Sequence, residues 1–166
     1  MNMLRKAAKN PCSGPAWLVT LLLLTGILIS CGIGVRTRAL FGDDLAVSVS
    51  LSPEANLNSP VALELVLIYN EKMMAYLSEK TARQWFEERK QIRRDYIENQ
   101  DFNAWYWEWV PGQDVPDQEI PLTPRAVGGI IFADYLSPGN HRARFDPFKD
   151  IRIHLRTEDF VVTIVD

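Results

Sequence analysis

Cysteine and histidine are scarce in this chain of 166 residues, which holds two of each. A zinc site wants paired ligands at turn or helical spacing, such as CxxC or HExxH, and neither pattern occurs, so no metal or other cofactor is expected. Cys12 lies in a basic leader that reads as removed from the mature chain, so only Cys31 remains and no disulfide is expected. GxSxG, P-loop and GxGxxG motifs are missing too, which removes the usual nucleophile-elbow and phosphate-cradle chemistries. Carboxylates such as Asp43-Asp44, Glu87-Glu88, Asp146, Asp150 and Glu158 stand in tether, helix-surface or loop contexts where solvation accounts for them better than an acid–base pair does. No catalytic residue is assigned and the chain is not expected to be an enzyme.

Also missing is an apolar run long enough to span a bilayer. Ala16 to Ile29 is about 14 residues, against the roughly 20 that a hydrocarbon core requires. Preceded by Arg5, Lys6 and Lys9, and closed by Leu28-Ile29-Ser30-Cys31-Gly32, it has the charge order and small residue of a cleavable secretory signal. This end resembles the bacterial lipobox, in which the cysteine is acylated and becomes the first mature residue. Residues 1–30 are therefore read as a signal peptide and Cys31 as the lipidated residue. Two or more acyl chains hold a protein at a membrane without a spanning helix. Gly32 after the cysteine, where enteric inner-membrane lipoproteins carry aspartate, implies sorting to the outer membrane, with the domain on the periplasmic face.

Removing the leader takes three basic residues and no acidic ones, leaving 15 Lys+Arg against 21 Asp+Glu, a net charge of −6. Such a balance argues against a nucleic-acid partner. Residues 31–43, with glycines, two arginines and no periodicity, read as the lipidated cysteine and a flexible tether, and 44–166 as one folded domain.

Within that domain Leu45, Val47, Val49 and Leu51 alternate with small or polar residues, the period of a half-buried strand. After a Pro- and Asn-containing loop, Val61 to Tyr69 is apolar on both faces except at Glu64, which fits the interior of a sheet. Asn70 can cap a short helix through Ser78, and Thr81 a longer one from Ala82 to about Asn99 whose Trp85, Arg89, Ile92 and Tyr96 share a face. That helix should pack on a sheet. Trp105, Trp107 and Trp109 then alternate along Asn103–Val110. One strand face carries all three, as a core layer with a ring at the rim or as an exposed platform for a ligand, a sugar or a membrane interface, and the core reading is favoured. Gln118–Leu122 is short, and Val127–Leu136 is strong, with Gly128-Gly129 marking a bulge or a close approach. His141–Asp146 extends briefly, and Ile151–Leu155 and Phe160–Val165 form a hairpin over Arg156-Thr157-Glu158-Asp159. The fold class is mainly β, a sandwich with an inserted helical segment.

The order of these pieces, with Asn56, Asn58, Ser59-Pro60-Val61, Leu65 to Tyr69, Pro111-Gly112 and Ile130 to Leu136 before Ile151 to Leu155, resembles the TssJ family of type VI secretion outer-membrane lipoproteins. The resemblance implies a transthyretin-like β-sandwich and, as partner, the periplasmic domain of a TssM-like inner-membrane component. It also implies that the first inter-strand loop is a contact region: Ser52, Pro53, Glu54, Ala55, Asn56, Leu57, Asn58, Ser59 and Pro60. Asn70-Glu71-Lys72 and the long charged helix depart from the family pattern. Trp105, Trp107, Trp109, His141 and Arg142 are further candidate anchors for a docking patch. A pilotin-like lipoprotein of another secretion system and a periplasmic ligand- or glycan-binding module are the alternative functions.

Overall fold

The computed structural model describes residues 37–165, so the signal peptide, Cys31 and the first tether residues lie outside the described residues. Among the described residues, eight strands form two four-stranded sheets. β1 (Asp44–Leu51), β4 (Gln118–Pro121), β7 (Ile151–Leu155) and β8 (Phe160–Ile164) make one, in the order β4-β1-β7-β8. β2 (Val61–Ile68), β3 (Phe102–Trp109), β5 (Gly128–Asp134) and β6 (Arg142–Phe145) make the other, in the order β3-β2-β5-β6. Among these eight strands β1 and β7 pair in parallel, Val47 opposite Ile151 and Leu51 opposite Leu155, and the other strand pairs are antiparallel.

The two-faced run at β2 is explained by its place. It is flanked by β3 and β5 and covered on both sides. Val61, Leu63, Leu65 and Leu67 face the other sheet, where they join Leu45, Val47, Ile131, Ile153 and Leu155 in the main core. Val66 and Ile68, one residue out of phase, face outward with Ile130 and Phe132 and are roofed by the helices α1 (Glu71–Ser78) and α2 (Ala82–Asp95). Trp85 of α2 is fully buried there, stacked 5.0 Å from Phe132 and edge-on to Phe102. Glu64 shares this outer face and is 0 % exposed. Its carboxylate accepts from Trp85 Nε1 at 3.0 Å, Arg89 at 2.6 Å and Arg93 at 2.5 Å, so the polar interruption in an apolar strand is the clamp that holds α2 on the sheet.

Both helix starts follow their capping chemistry. Asn70 Oδ1 accepts from Met73 N, and Thr81 and Gln84 form a reciprocal capping box. The longer helix stops at Asp95, four residues short of the expected Asn99. Tyr96 turns extended, Ile97 N is captured by the Asp101 carboxylate, and Asn99 takes a positive φ to reverse the chain into β3. Likewise β5 ends at Asp134, short of Leu136, because Leu136 N donates to the Asn56 side chain and leaves the ladder. Gly128 and Gly129 make no bulge, since their register with β2 is unbroken. They mark a close approach: a Cβ on Gly129 would lie 2.2 Å from the Phe145 ring.

The tether does not run free to Asp43. Residues 37–40 form a helical turn, Ala39 is buried, and Arg38 pairs with Asp43 at 2.6 Å and with Asp150 at 3.3 Å.

Candidate functional site

The loop from Ser52 to Pro60 is built on an unusual backbone. Asn56, Leu57 and Asn58 take φ values of 47°, 56° and 62°, three successive residues in the left-handed region. Asparagine tolerates that region because its short amide bonds locally; leucine does not, and the conformation costs it about 1–2 kcal/mol. Neighbouring strands hold it in place. Ser52 N donates to Leu155 O, Asn56 N to Arg156 O, and Leu57 N to Thr157 O, so the β7–β8 hairpin supplies a carbonyl at each step. The buried Asn56 side chain does the rest, donating to Pro60 O and accepting from Leu136 N, both at 2.7 Å. One amide thus ties the β1–β2 loop to the β5–β6 loop. The outcome is a tip on which Leu57 is 49 % exposed and Leu136 62 % exposed, with Pro53 and Pro60 on the same loop also open to solvent. Beside it lies an open groove lined by Asn56, Ser59, Pro60, Arg83, Glu108 and Leu136.

The same β5–β6 loop carries His141, also at positive φ and buried. Its ring stacks 5.0 Å from Tyr135, which stacks in turn on Phe160. Burial pushes the Tyr135 hydroxyl well above its ordinary pKa, so it stays neutral and accepts from Arg156 N. His141 Nδ1 lies 3.1 Å from Asp159 and Nε2 2.8 Å from the Ser137 carbonyl, with Ser137 Oγ 3.5 Å from the same Nε2. This places a serine, a histidine and an aspartate in sequence, an arrangement that one-dimensional spacing did not reveal. The proton positions differ from those of a nucleophile relay. A carbonyl can only accept, so Nε2 carries a proton toward Ser137 O and has no lone pair for the hydroxyl. Ser137 Oγ already donates to Glu158 O at 2.5 Å. In this arrangement the three side chains fasten two loops together.

The other sequence candidates are used internally. Trp109 is buried, Trp105 and Trp107 are half-buried against the main core, and Trp107 stacks on Trp109 at 5.5 Å. The stripe is a core layer whose outer rings reach the rim of an edge strand. Arg142 donates to Lys80 O at 2.6 Å, bracing the turn between the helices. Among the described residues, no group of three or more His, Cys, Asp or Glu could hold a metal ion, and no helix is long and apolar enough to cross a membrane. Sequence reasoning passed over Leu136 as part of the tip and Asn56 as its fastening. An exposed leucine after a strand, and an asparagine where the chain needs positive φ, are the signals that could have marked them.

The sequence matches no protein-family profile and no curated relative. Solved structures do match. TssJ1, the type VI secretion lipoprotein from Pseudomonas aeruginosa, superposes with a TM-score of 0.56 at 13 % identity, over 75 % of this chain and 98 % of that one. Lip from Serratia marcescens, a membrane-bound component of the type VI secretion system, gives 0.53 at 11 %, over 75 % and 98 %. A chain from the structure described as the type VI secretion protein TssM C-terminal domain (869–1107) from EAEC gives 0.54 at 15 %, over 74 % and 98 %. The two-sheet sandwich with its helical insertion is thus the fold of the TssJ lipoproteins of type VI secretion.

Proposed function

We propose that this chain is a TssJ-like outer-membrane lipoprotein, anchored through acyl chains on Cys31 and docking the periplasmic domain of a TssM-like inner-membrane component with the tip at Ser52–Pro60. The observation that carries the docking role is Leu57: a leucine kept half out of the fold in a backbone conformation that disfavours it, beside a second exposed leucine. Strain of this kind persists where surrounding structure over-determines it, and it concentrates where side chains are presented to partners. Two exposed leucines framed by prolines and a polar groove have the makings of a small interface core with a wet rim. Anchoring multiplies the effect, because confinement at a membrane raises the effective concentration of the tip beside other envelope components.

A glycan- or ligand-binding module is the weaker reading, since the Trp faces that would stack on a sugar are spent on the core and on each other. The test is capture of the periplasmic domain of the inner-membrane component by the double variant Leu57→Asp, Leu136→Asp. Leu57 is half exposed and Leu136 more so, so the loss of burial is small against the whole core; lost capture with native circular dichroism is expected. Undiminished capture removes the tip from the interface.

A further inference from the structure

Apolar side chains are also left exposed at the opposite end of the sandwich. β1 runs from Asp44 toward the tip, so its start lies at the far end, and the pairings place the end of β8 there (Ile151 opposite Ile164), as well as the start of β5 at the end of β2 (Ile68 opposite Gly128). At this end Phe41 is 89 % exposed and Leu40 68 % exposed, with Ile164, Val165, Val127 and Ile97 also open to solvent. Leu40, Phe41 and Val165 are brought together by Asp150. Its carboxylate accepts from Arg38 and from Ala46 N, and its carbonyl accepts from Val165 N. The turn carrying Leu40 and Phe41 is therefore fixed to the fold beside the C-terminal strand. Two cations of this end have partners within the fold: Arg38 is shared between Asp43 and Asp150, and Arg125 lies over the Tyr69 ring and bonds Asn99 O.

We propose that this end is a lipid-facing surface, in which Leu40 and Phe41 enter the interfacial layer of the bilayer beneath the acylated Cys31. The inference rests on the lipoprotein reading and goes beyond it. What selects a bilayer as the occupant is chain length. Six residue steps lead from Cys31 to Thr37, and at no more than about 3.6 Å each they reach at most ~22 Å. The described domain begins at this end, so the patch is the part of the fold closest along the chain to the lipids. An apolar surface of leucine and phenylalanine suits the headgroup–acyl boundary, where binding scales with buried apolar area. The consequence is orientation: with this end pressed to the membrane, the Leu57–Leu136 tip points away from it, toward a partner on the other side of the periplasm.

The experiment uses the acylated full-length mature protein in vesicles of phosphatidylethanolamine and phosphatidylglycerol. Acylation occupies the Cys31 thiol, so Leu40→Cys gives a single site for an environment-sensitive fluorophore, and Leu57→Cys a control at the tip. Flotation with the vesicles, quenching of the residue-40 probe by brominated acyl chains, its shielding from aqueous iodide, and an iodide-open probe at 57 are the expected results. Adding Phe41→Glu should cut the bromolipid quenching by about tenfold or more. A floating protein whose residue-40 probe is as open to iodide as that at 57 overturns the inference and leaves the anchor standing. Shielding without bromolipid quenching overturns it in favour of a second protein copy on the patch. Failure to float at all refutes the lipid anchor, and with it this surface.

Discussion

Replacing Leu57 by asparagine separates what this residue does for the fold from what it does for a partner. Its backbone φ of 56° costs a leucine about 1–2 kcal/mol, most of which asparagine avoids. Against that gain stands the buried half of the side chain. Full burial of a leucine contributes about 1.5–3 kcal/mol, so the half that is covered contributes about 1. The two terms nearly cancel, and Leu57→Asn should leave the stability within about 1 kcal/mol of the parent, a melting shift of no more than roughly 5 °C. The half that faces solvent has no such compensation. Buried in an interface it is worth about 1–1.5 kcal/mol, so affinity for the periplasmic domain of the inner-membrane component should fall about tenfold. Urea unfolding followed by tryptophan fluorescence, and titration calorimetry on the same preparations, read the two numbers. A stability loss above about 2 kcal/mol would mean that the left-handed turn is held by Leu57 packing, and that the strain argument is wrong. Unchanged affinity at unchanged stability would remove Leu57 from the interface.

Other perturbations probe the frame behind the tip. Glu64→Ala removes the buried acceptor of the Trp85 indole N–H and of Arg89 and Arg93; since both arginines reach solvent and Arg93 keeps Glu98, the domain should lose about 1–3 kcal/mol, and a loss under about 0.5 kcal/mol in urea melts would show that α2 is held by apolar contacts alone. Gly129→Ala drives a methyl group into the Phe145 ring, and about 1–3 kcal/mol of overpacking is expected, most of it recovered by Phe145→Leu in the same chain. Additive losses in that double variant would place the strain elsewhere.

The strands and helices were legible because their signals are local: period-two alternation, and an asparagine and a threonine at helix starts. The two-sided apolar run gave β2 its place inside a sheet, but not the reason, which is that one sheet face meets the opposite sheet while the other meets helices. Glu64 looked like an interruption because its partners lie 25 and 29 residues away: Arg89 could be placed on the packed face of its helix, but nothing local says which strand residue it meets. The ends of α2 and β5 were overrun for a related reason: each stops where a distant side chain, Asp101 or Asn56, captures a backbone N–H. The loop from Ser52 to Pro60 was identified through resemblance, and its composition alone says only that it turns. That Leu57 is held outward, and that Leu136 joins it from 80 residues away, needs the fold.

Intact mass of the mature protein purified from outer membranes tests the central claim most directly. The account predicts a chain that begins at Cys31 and carries acyl chains, with Cys31→Ser left unprocessed or lost from the membrane fraction. A mature N-terminus elsewhere, or an unmodified Cys31 in a protein that still fractionates with outer membranes, would contradict it.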